Sequence, residues 1–147
     1  MNKKHFIVKP GDRNAALCVV GINVTVLVSA ADSKSQQVTL QSGDEGAGPP
    51  PHSHDWDETF YVMSGDVKFT CAGETTVCEP GTLVHIPAGT VHAFSYGADG
   101  GEMLEVTGMG SNAVEMFTAL DREIPPGPLD VSKVVRVAGE YGVTVQL

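Results

Sequence analysis

Short runs in which apolar and polar residues alternate fill the chain from about residue 16 to residue 108. Val24, Val26 and Val28 occupy every second position, which places them on one face of a strand. Turn-forming residues separate the runs, and the segments 64–66 and 73–74 are typical of hairpin turns. The predicted strands are 17–20, 24–28, 37–41, 51–54, 58–63, 67–71, 75–78, 83–86, 92–96 and 103–107. Short, evenly spaced strands of this kind predict an all-β sandwich or barrel.

The remainder of the chain has helical periodicity instead. Asn112, followed by Glu115, predicts an N-cap and capping box that open a helix reaching about Leu120. A proline-rich connector precedes a second predicted helix, 131–141, which Gly142 ends. A last short strand is predicted at 143–145. We therefore expect one domain over residues 1–147, with a barrel at about 16–108 and a helical tail at about 111–142.

Charge and cysteine content narrow the classes of partner. The net charge is −9 at pH 7 and the pI is about 4.8, without a Lys/Arg cluster to neutralise phosphates, so nucleic acid is not an expected partner. The apolar segment 15–31 is interrupted and alternates like a strand, which argues against a signal peptide or a membrane span. Cys18, Cys71 and Cys78 contain no CxxC pair and are expected to be reduced thiols. A cytoplasmic protein is the expectation.

Four side chains suggest metal chemistry. His52 and His54 stand two positions apart in a predicted strand, so they share one face. Glu58 has the same parity as Phe60 and should point into the apolar interior, where a carboxylate is costly unless it is paired or bound to a metal. His92 opens another strand. Three imidazoles and one carboxylate that converge would form a site for one divalent metal ion, with room for water or substrate.

The other histidines serve as a comparison. His85 alternates with Val84 and Ile86, so it should face outward if those two residues face the core. We expect His85 to be a surface or oligomer-contact residue, and His5 has no motif around it. Any one of these residues alone would more often be solvated, so it is the joint arrangement that favours a metal site.

The spacing of these residues resembles the two motifs of the cupin superfamily. Nine motif positions match, with a gap of 15 residues between the motifs: Gly46, His52, His54, Glu58 and Gly65 in the first, and Gly81, Pro87, Gly89 and His92 in the second. The resemblance implies a double-stranded β-helix, the cupin jelly-roll barrel, with short C-terminal helices. It also implies that His52, His54, Glu58 and His92 are the metal ligands, and that Gly65, Gly81 and Gly89 are turn residues. Tyr96 departs from the second motif, which usually ends in Asn.

A narrower resemblance concerns activity. The segments 48–52, 57–62 and 87–94 are similar to the small bacterial quercetin-dioxygenase-like cupins. This implies a metal-dependent, dioxygenase-like oxidoreductase that acts on a small enolisable or aromatic substrate such as a flavonol. Glu58 would be the catalytic proton acceptor. The substrate pocket would be lined by Phe60, Val62, Phe94, Tyr96 and Met103.

Two other functions stay open at the level of sequence. A metal-dependent isomerase, epimerase or lyase would need a second acid or base near the metal, for which Tyr96 is the best candidate. A non-enzymatic module that binds a small ligand is the third hypothesis. The metal (Fe, Mn, Ni, Co, Cu or Zn) and the direct ligation by Glu58 are also open. We expect a homodimer, because exposed strand edges need to be covered.

Overall fold

A computed structural model describes residues 4–146, so residues 1–3 and 147 of the predicted domain lie outside the described part. It contains two antiparallel sheets and two helices. The strands are β1 (Leu17–Val19), β2 (Ile22–Val28), β3 (Gln37–Gly43), β4 (His52–Ser53), β5 (Glu58–Ser64), β6 (Val67–Cys71), β7 (Glu74–Cys78), β8 (Leu83–Ile86), β9 (His92–Tyr96), β10 (Gly101–Thr107) and β11 (Thr144–Val145). The helices are α1 (Ala113–Glu123) and α2 (Val131–Glu140).

The order of the strands is that of a jelly roll. One sheet has the order β1-β2-β3-β10-β5-β8 and the other has the order β11-β4-β9-β6-β7. Neighbouring strands in each sheet come from distant parts of the chain, as when β10 pairs with both β3 and β5. This architecture confirms the predicted all-β barrel class.

An aromatic layer fills the space between the sheets. The rings of Phe60, Phe69 and Phe94 lie 5.3–5.4 Å from one another between centroids, at the tilted angles that aromatic pairs prefer. Tyr96 joins the layer at 5.7 Å from Phe94. All four residues alternate with more exposed ones along β5, β6 and β9, which is why the sequence pattern predicted these strands.

The tail forms the two predicted helices, and α1 follows Asn112 as predicted, but the predicted capping contacts are absent from its start. Asn112 does not cap the helix through its side chain; its amide instead donates to the Tyr141 carbonyl at 3.2 Å. The Glu115 carboxylate accepts hydrogen bonds from Gln37 at 3.0 and 3.1 Å. The capping box was therefore wrong, because tertiary partners engage both of its side chains.

Both ends of α2 carry capping residues, and its end lies where the sequence predicted it. Asp130 caps its start by accepting from the Lys133 amide, and Gly142 follows its end with a φ of 84°. Neither helix in residues 4–146 is long and apolar enough to cross a membrane.

Candidate metal centre

The fold brings the four predicted ligands together at one end of the barrel. His52 on β4 lies directly opposite His92 on β9, while His54 follows β4 and Glu58 begins β5. One donor atom from each of the four side chains lies within 4.8 Å of the others. The carboxylate Oε1 of Glu58 is 2.9 Å from His92 Nε2 and 3.4 Å from His54 Nε2. Four donors that are distant in sequence therefore converge on one point.

Two hydrogen bonds from backbone amides hold the loops that carry these ligands in place. The Ala88 amide donates to the Asp57 carboxylate at 2.9 Å, and the Gly89 amide donates to the His54 carbonyl at 2.8 Å. They join the loop before His92 to the loop before Glu58. These two hydrogen bonds therefore help to fix the position of His92 relative to His54 and Glu58.

Each imidazole is oriented through its second nitrogen. The Nδ1 atoms of His52, His54 and His92 lie 2.8–3.0 Å from backbone carbonyl oxygens of Pro50, Trp56 and Thr90, respectively. A carbonyl oxygen only accepts, so each Nδ1 carries the proton and donates. In the neutral form of each ring, Nε2 carries the lone pair and faces the centre, which is the arrangement of metal-binding histidines. A proton on Nε2 of His92 would instead donate to the Glu58 carboxylate. The His54 ring also stacks on Trp56 at 4.4 Å, which fixes its plane.

The charges within the cluster suit a cation. Burial, followed by the charge of His92, lowers the pKa of His52 to about 4, so this imidazole is neutral at pH 7. Burial also disfavours a charged His92, but the hydrogen bond and charge of Glu58 outweigh it and raise the pKa of His92. Burial would raise the pKa of Glu58, yet hydrogen bonds from Glu105, His54 and His92 hold it well below its usual value. Glu58 is therefore a carboxylate in the protein interior.

These residues fit a divalent metal ion. Three oriented imidazole nitrogens and one buried carboxylate are donors that iron, manganese, nickel, cobalt, copper and zinc all accept. The fit rests on the donors themselves, because a buried carboxylate and three lone pairs aimed at one point need a cation to balance them. His52, His54, Glu58 and His92 would hold that ion.

Sequence reasoning missed a second carboxyl group beside the cluster. Glu105 on β10 lies between Thr39 and Phe60 of the adjacent strands and is 2% exposed. The Thr39 hydroxyl donates to Glu105 Oε1 at 2.8 Å, and Glu105 is hydrogen-bonded to Glu58. Burial, followed by the charge of Glu58, raises the pKa of Glu105 well above its usual value, so it is the neutral member of the pair. Its inward parity with Met103 was the signal in the sequence.

A cavity of about 100 Å³ adjoins the cluster. His52, His54 and Glu58 form one side of it, and Phe60 and Phe94 contribute aromatic surface. The helices of the tail form a roof, with Met116, Phe117 and Leu120 from α1 and Val134 and Ala138 from α2. Among the described residues, no lysine or arginine lines this cavity.

The five predicted pocket residues separate into two groups. Phe60 and Phe94 line the cavity, whereas Val62, Tyr96 and Met103 lie outside its lining and are at most 2% exposed. They have the inward parity that suggested a pocket role, but they occupy other positions along β5, β9 and β10 than the residues that line the cavity.

Tyr96 is also not placed to act as an acid or base. Its ring lies so close to Gly43 and Gly101 that a Cβ at either glycine would come within 3 Å of it. Burial, with the charges of Glu105 and Glu102, raises the pKa of its hydroxyl. That hydroxyl has no hydrogen-bond partner within residues 4–146. Glu105 is the acid–base group next to the cluster instead.

The two remaining histidines lie away from the centre. His85 is exposed on β8, and its Nδ1 lies 2.9 Å from the Thr59 hydroxyl, so it faces outward as its parity predicted. His5 is exposed near the start of the described chain.

Comparison with known proteins adds a family context. The model of the Cupin domain family matches residues 37–107, a segment that contains all four residues of the cluster. An uncharacterised protein of Streptomyces coelicolor is 33% identical over 63 residues, which are 43% of this chain and 60% of that protein. Quercetin 2,3-dioxygenase of Bacillus subtilis is 27% identical over 92 residues, which are 60% of this chain and 27% of that enzyme. The chain thus spans less than two thirds of either curated relative.

Solved structures share the fold. The structure of KdgF from Halomonas sp. superposes with a TM-score of 0.68 at 17% sequence identity, over 76% of this chain and 99% of that one. At this identity, the likeness concerns the fold alone.

Proposed function

Since the chain belongs to the cupin superfamily, we propose that it is a metal-dependent, dioxygenase-like oxidoreductase for a small enolisable or aromatic substrate. The observation that carries this proposal is the position of the cluster: His52, His54 and Glu58 line an apolar cavity, and His92 completes the set of four donors. The match to quercetin 2,3-dioxygenase of Bacillus subtilis, across a segment of 92 residues, supports it.

The residues of the site would divide the work between them. A divalent ion held by the cluster would supply Lewis-acid chemistry and, with a redox-active metal, a means of handling dioxygen. Glu58 belongs to the cluster and also lines the cavity, so it would accept the proton of the substrate hydroxyl or enol. Phe60 and Phe94 would hold the flat part of the substrate, and the helical roof would exclude water.

The first test is elemental analysis of freshly purified, tag-free protein, with a His52→Ala/His54→Ala double variant as its comparison. We expect near-stoichiometric iron, nickel, manganese or copper in the parent protein and its loss in the variant. Zinc in the parent would favour Lewis-acid or structural use of the site. Absence of metal from both proteins, even after reloading, would contradict a metal centre and favour a ligand-binding module.

The second test measures oxygen consumption by metal-loaded protein across a panel of phenols, flavonols and enediols. Glu58→Gln should retain most of the metal and lose turnover, because the amide cannot take up the proton. Glu74→Gln, an exposed change on β7, is the matched control and should keep turnover. The absence of oxygen uptake for every substrate, or full turnover by Glu58→Gln, would argue against the proposal.

One observation favours a second candidate function. Isomerases, epimerases and lyases need an acid–base group besides the metal ligands, and Glu105 lies in the cavity wall in hydrogen-bond contact with Glu58. Conversion of a carbonyl substrate under strictly anaerobic conditions, lost in Glu105→Gln, would favour this alternative. Strict dependence on oxygen would exclude it.

A further inference from the structure

The shape of the cavity restricts the size of the ligand that it can take. Its volume is about 100 Å³, which is less than the roughly 150 Å³ of an engineered protein cavity that binds benzene. Phe60 of β5 and Phe117 of α1 are among its lining residues, and both are buried. The space therefore holds at most one ring or a compound of similar size, and a fused or multi-ring compound needs the lining side chains to move.

The charge of the cavity restricts the chemistry of the ligand. Among the described residues, the polar side chains of its lining are those of the cluster with Gln41, Glu105 and Trp56, whose Nε1 has no hydrogen-bond partner within residues 4–146. Thr39 donates to Glu105 and Gln41 donates to Thr39 at 3.3 Å, so Gln41 and Glu105 are already engaged within the protein. A charged group at the apolar end of a ligand would be buried without a partner.

One strained residue forms part of the wall. Val20 connects β1 to β2 in a two-residue turn with Gly21, and its φ is 50°. A β-branched residue in the left-handed region is an outlier, and such turns favour Asn or Gly at this position. The Val20 side chain lines the cavity and packs against the core. Strain of this kind persists where the surrounding structure holds the residue in place, and the core contacts of Val20 do so.

We propose that the cavity beside the metal cluster binds a neutral, predominantly apolar ligand of about one ring, and that Val20 is a residue that determines the size of that ligand. This inference rests on the proposed function, which makes the metal cluster the site of reaction. Binding itself needs neither oxygen nor turnover, so it is measurable with a redox-inert metal.

The test is calorimetric titration of the zinc-loaded, full-length protein with three probes. Phenol is the neutral single ring, 4-hydroxybenzoate carries a negative charge at the end of the ring opposite the hydroxyl, and 2-naphthol is the larger neutral ligand. We expect phenol to bind, and 4-hydroxybenzoate and 2-naphthol to bind at least about tenfold more weakly, because of the unpaired charge at the apolar end and the limited space, respectively. A protein that does not bind phenol, or that binds 4-hydroxybenzoate as tightly, would overturn the inference.

Val20→Gly tests the wall directly. Removal of the side chain should raise the affinity for 2-naphthol relative to phenol by about tenfold. Ala72→Gly is a matched control, because Ala72 has a φ of 49° in the equivalent turn between β6 and β7 but is exposed and lies outside the cavity lining. Equal ligand ratios in the two variants would refute the role of Val20.

The outcomes distinguish this inference from the proposed function. Selective binding of phenol by a protein that consumes no oxygen with any substrate would contradict the proposed function alone. Oxygen consumption with anionic or multi-ring substrates, without binding of phenol, would contradict the inference alone.

Discussion

Replacement of Glu105 by Gln tests whether the two buried carboxyl groups share one proton. The amide has the shape of the neutral acid: it can accept from Thr39 and donate to Glu58, as Glu105 does. In the unfolded chain a glutamate loses its proton near pH 4.3, whereas burial and the charge of Glu58 hold the pKa of Glu105 well above its usual value in the fold. The native protein therefore binds more protons than the unfolded chain above that pH, and its stability falls as the pH rises.

The size of this stability change follows from the difference in bound protons between the native and unfolded states. Each pH unit between the two pKa values costs the parent protein about 1.4 kcal/mol, and Glu105→Gln does not incur this cost. We expect the stability of the variant, relative to that of the parent, to rise with pH above about 4.3, by about 1.4 kcal/mol for each pH unit over which Glu105 keeps its proton in the fold.

Urea denaturation of metal-free protein at several pH values measures this difference. Glu74→Gln, which alters an exposed strand residue, should show a constant difference from the parent. A constant difference for Glu105→Gln as well would mean that both buried carboxyl groups ionise in the fold, and would refute the shared proton.

Four further predictions test other parts of the structure. The pKa of His52 is lowered to about 4, so metal-free protein should lose unfolding free energy as the pH falls from 6.5 toward 4. In urea titrations, His52→Gln should reduce this loss by about 2–3 kcal/mol, and His5→Gln should leave it unchanged. Asp57→Ala removes the acceptor of the Ala88 amide and should weaken metal binding roughly tenfold in chelator competition, whereas the exposed Asp55→Ala should leave it unchanged. Phe69→Ala removes a core ring that is 2% exposed and should cost about 3–5 kcal/mol of unfolding free energy; a loss below 1 kcal/mol would contradict the packing described. The paired residues Tyr61 and Leu83 are 45% and 62% exposed on neighbouring strands, in line with the expected homodimer, and a sedimentation mass of one chain at micromolar concentration would disprove it.

Local periodicity was sufficient to predict most of the fold. The strands β6, β8 and β9 have the predicted bounds, because more and less buried residues alternate along most of each strand and turn residues follow it. The start of α1 shows the limit of this reasoning. Asn112 and Glu115 have the spacing of a capping box, but partners more than twenty residues away in sequence bind both side chains. Nothing local identifies such partners.

Some residues of the candidate site could likewise be predicted from local pattern, and others could not. Parity and spacing predicted His52, His54, Glu58 and His92, since each follows from the alternation of its own strand. The depth of a residue along the barrel depends instead on the register between strands, which a single sequence does not reveal. Val62 and Glu105 illustrate this: both point inward, but only Glu105 reaches the cavity wall.

The roof of the cavity also bears on how the protein would be loaded during its synthesis. The ligands end at His92, while the roof comes from residues after 112, so a ribosome makes all four donors before it makes the cover. At typical elongation rates the roughly fifty residues after His92 take about 3–10 s. The sheet that carries Glu58 also needs β10, which pairs with both β3 and β5 and follows His92 in the chain. Between the pairing of β10 and the docking of α1 and α2, a cation could enter the cluster from solvent. Once docked, the two helices would cover the cavity beside the cluster and slow the exchange of the ion.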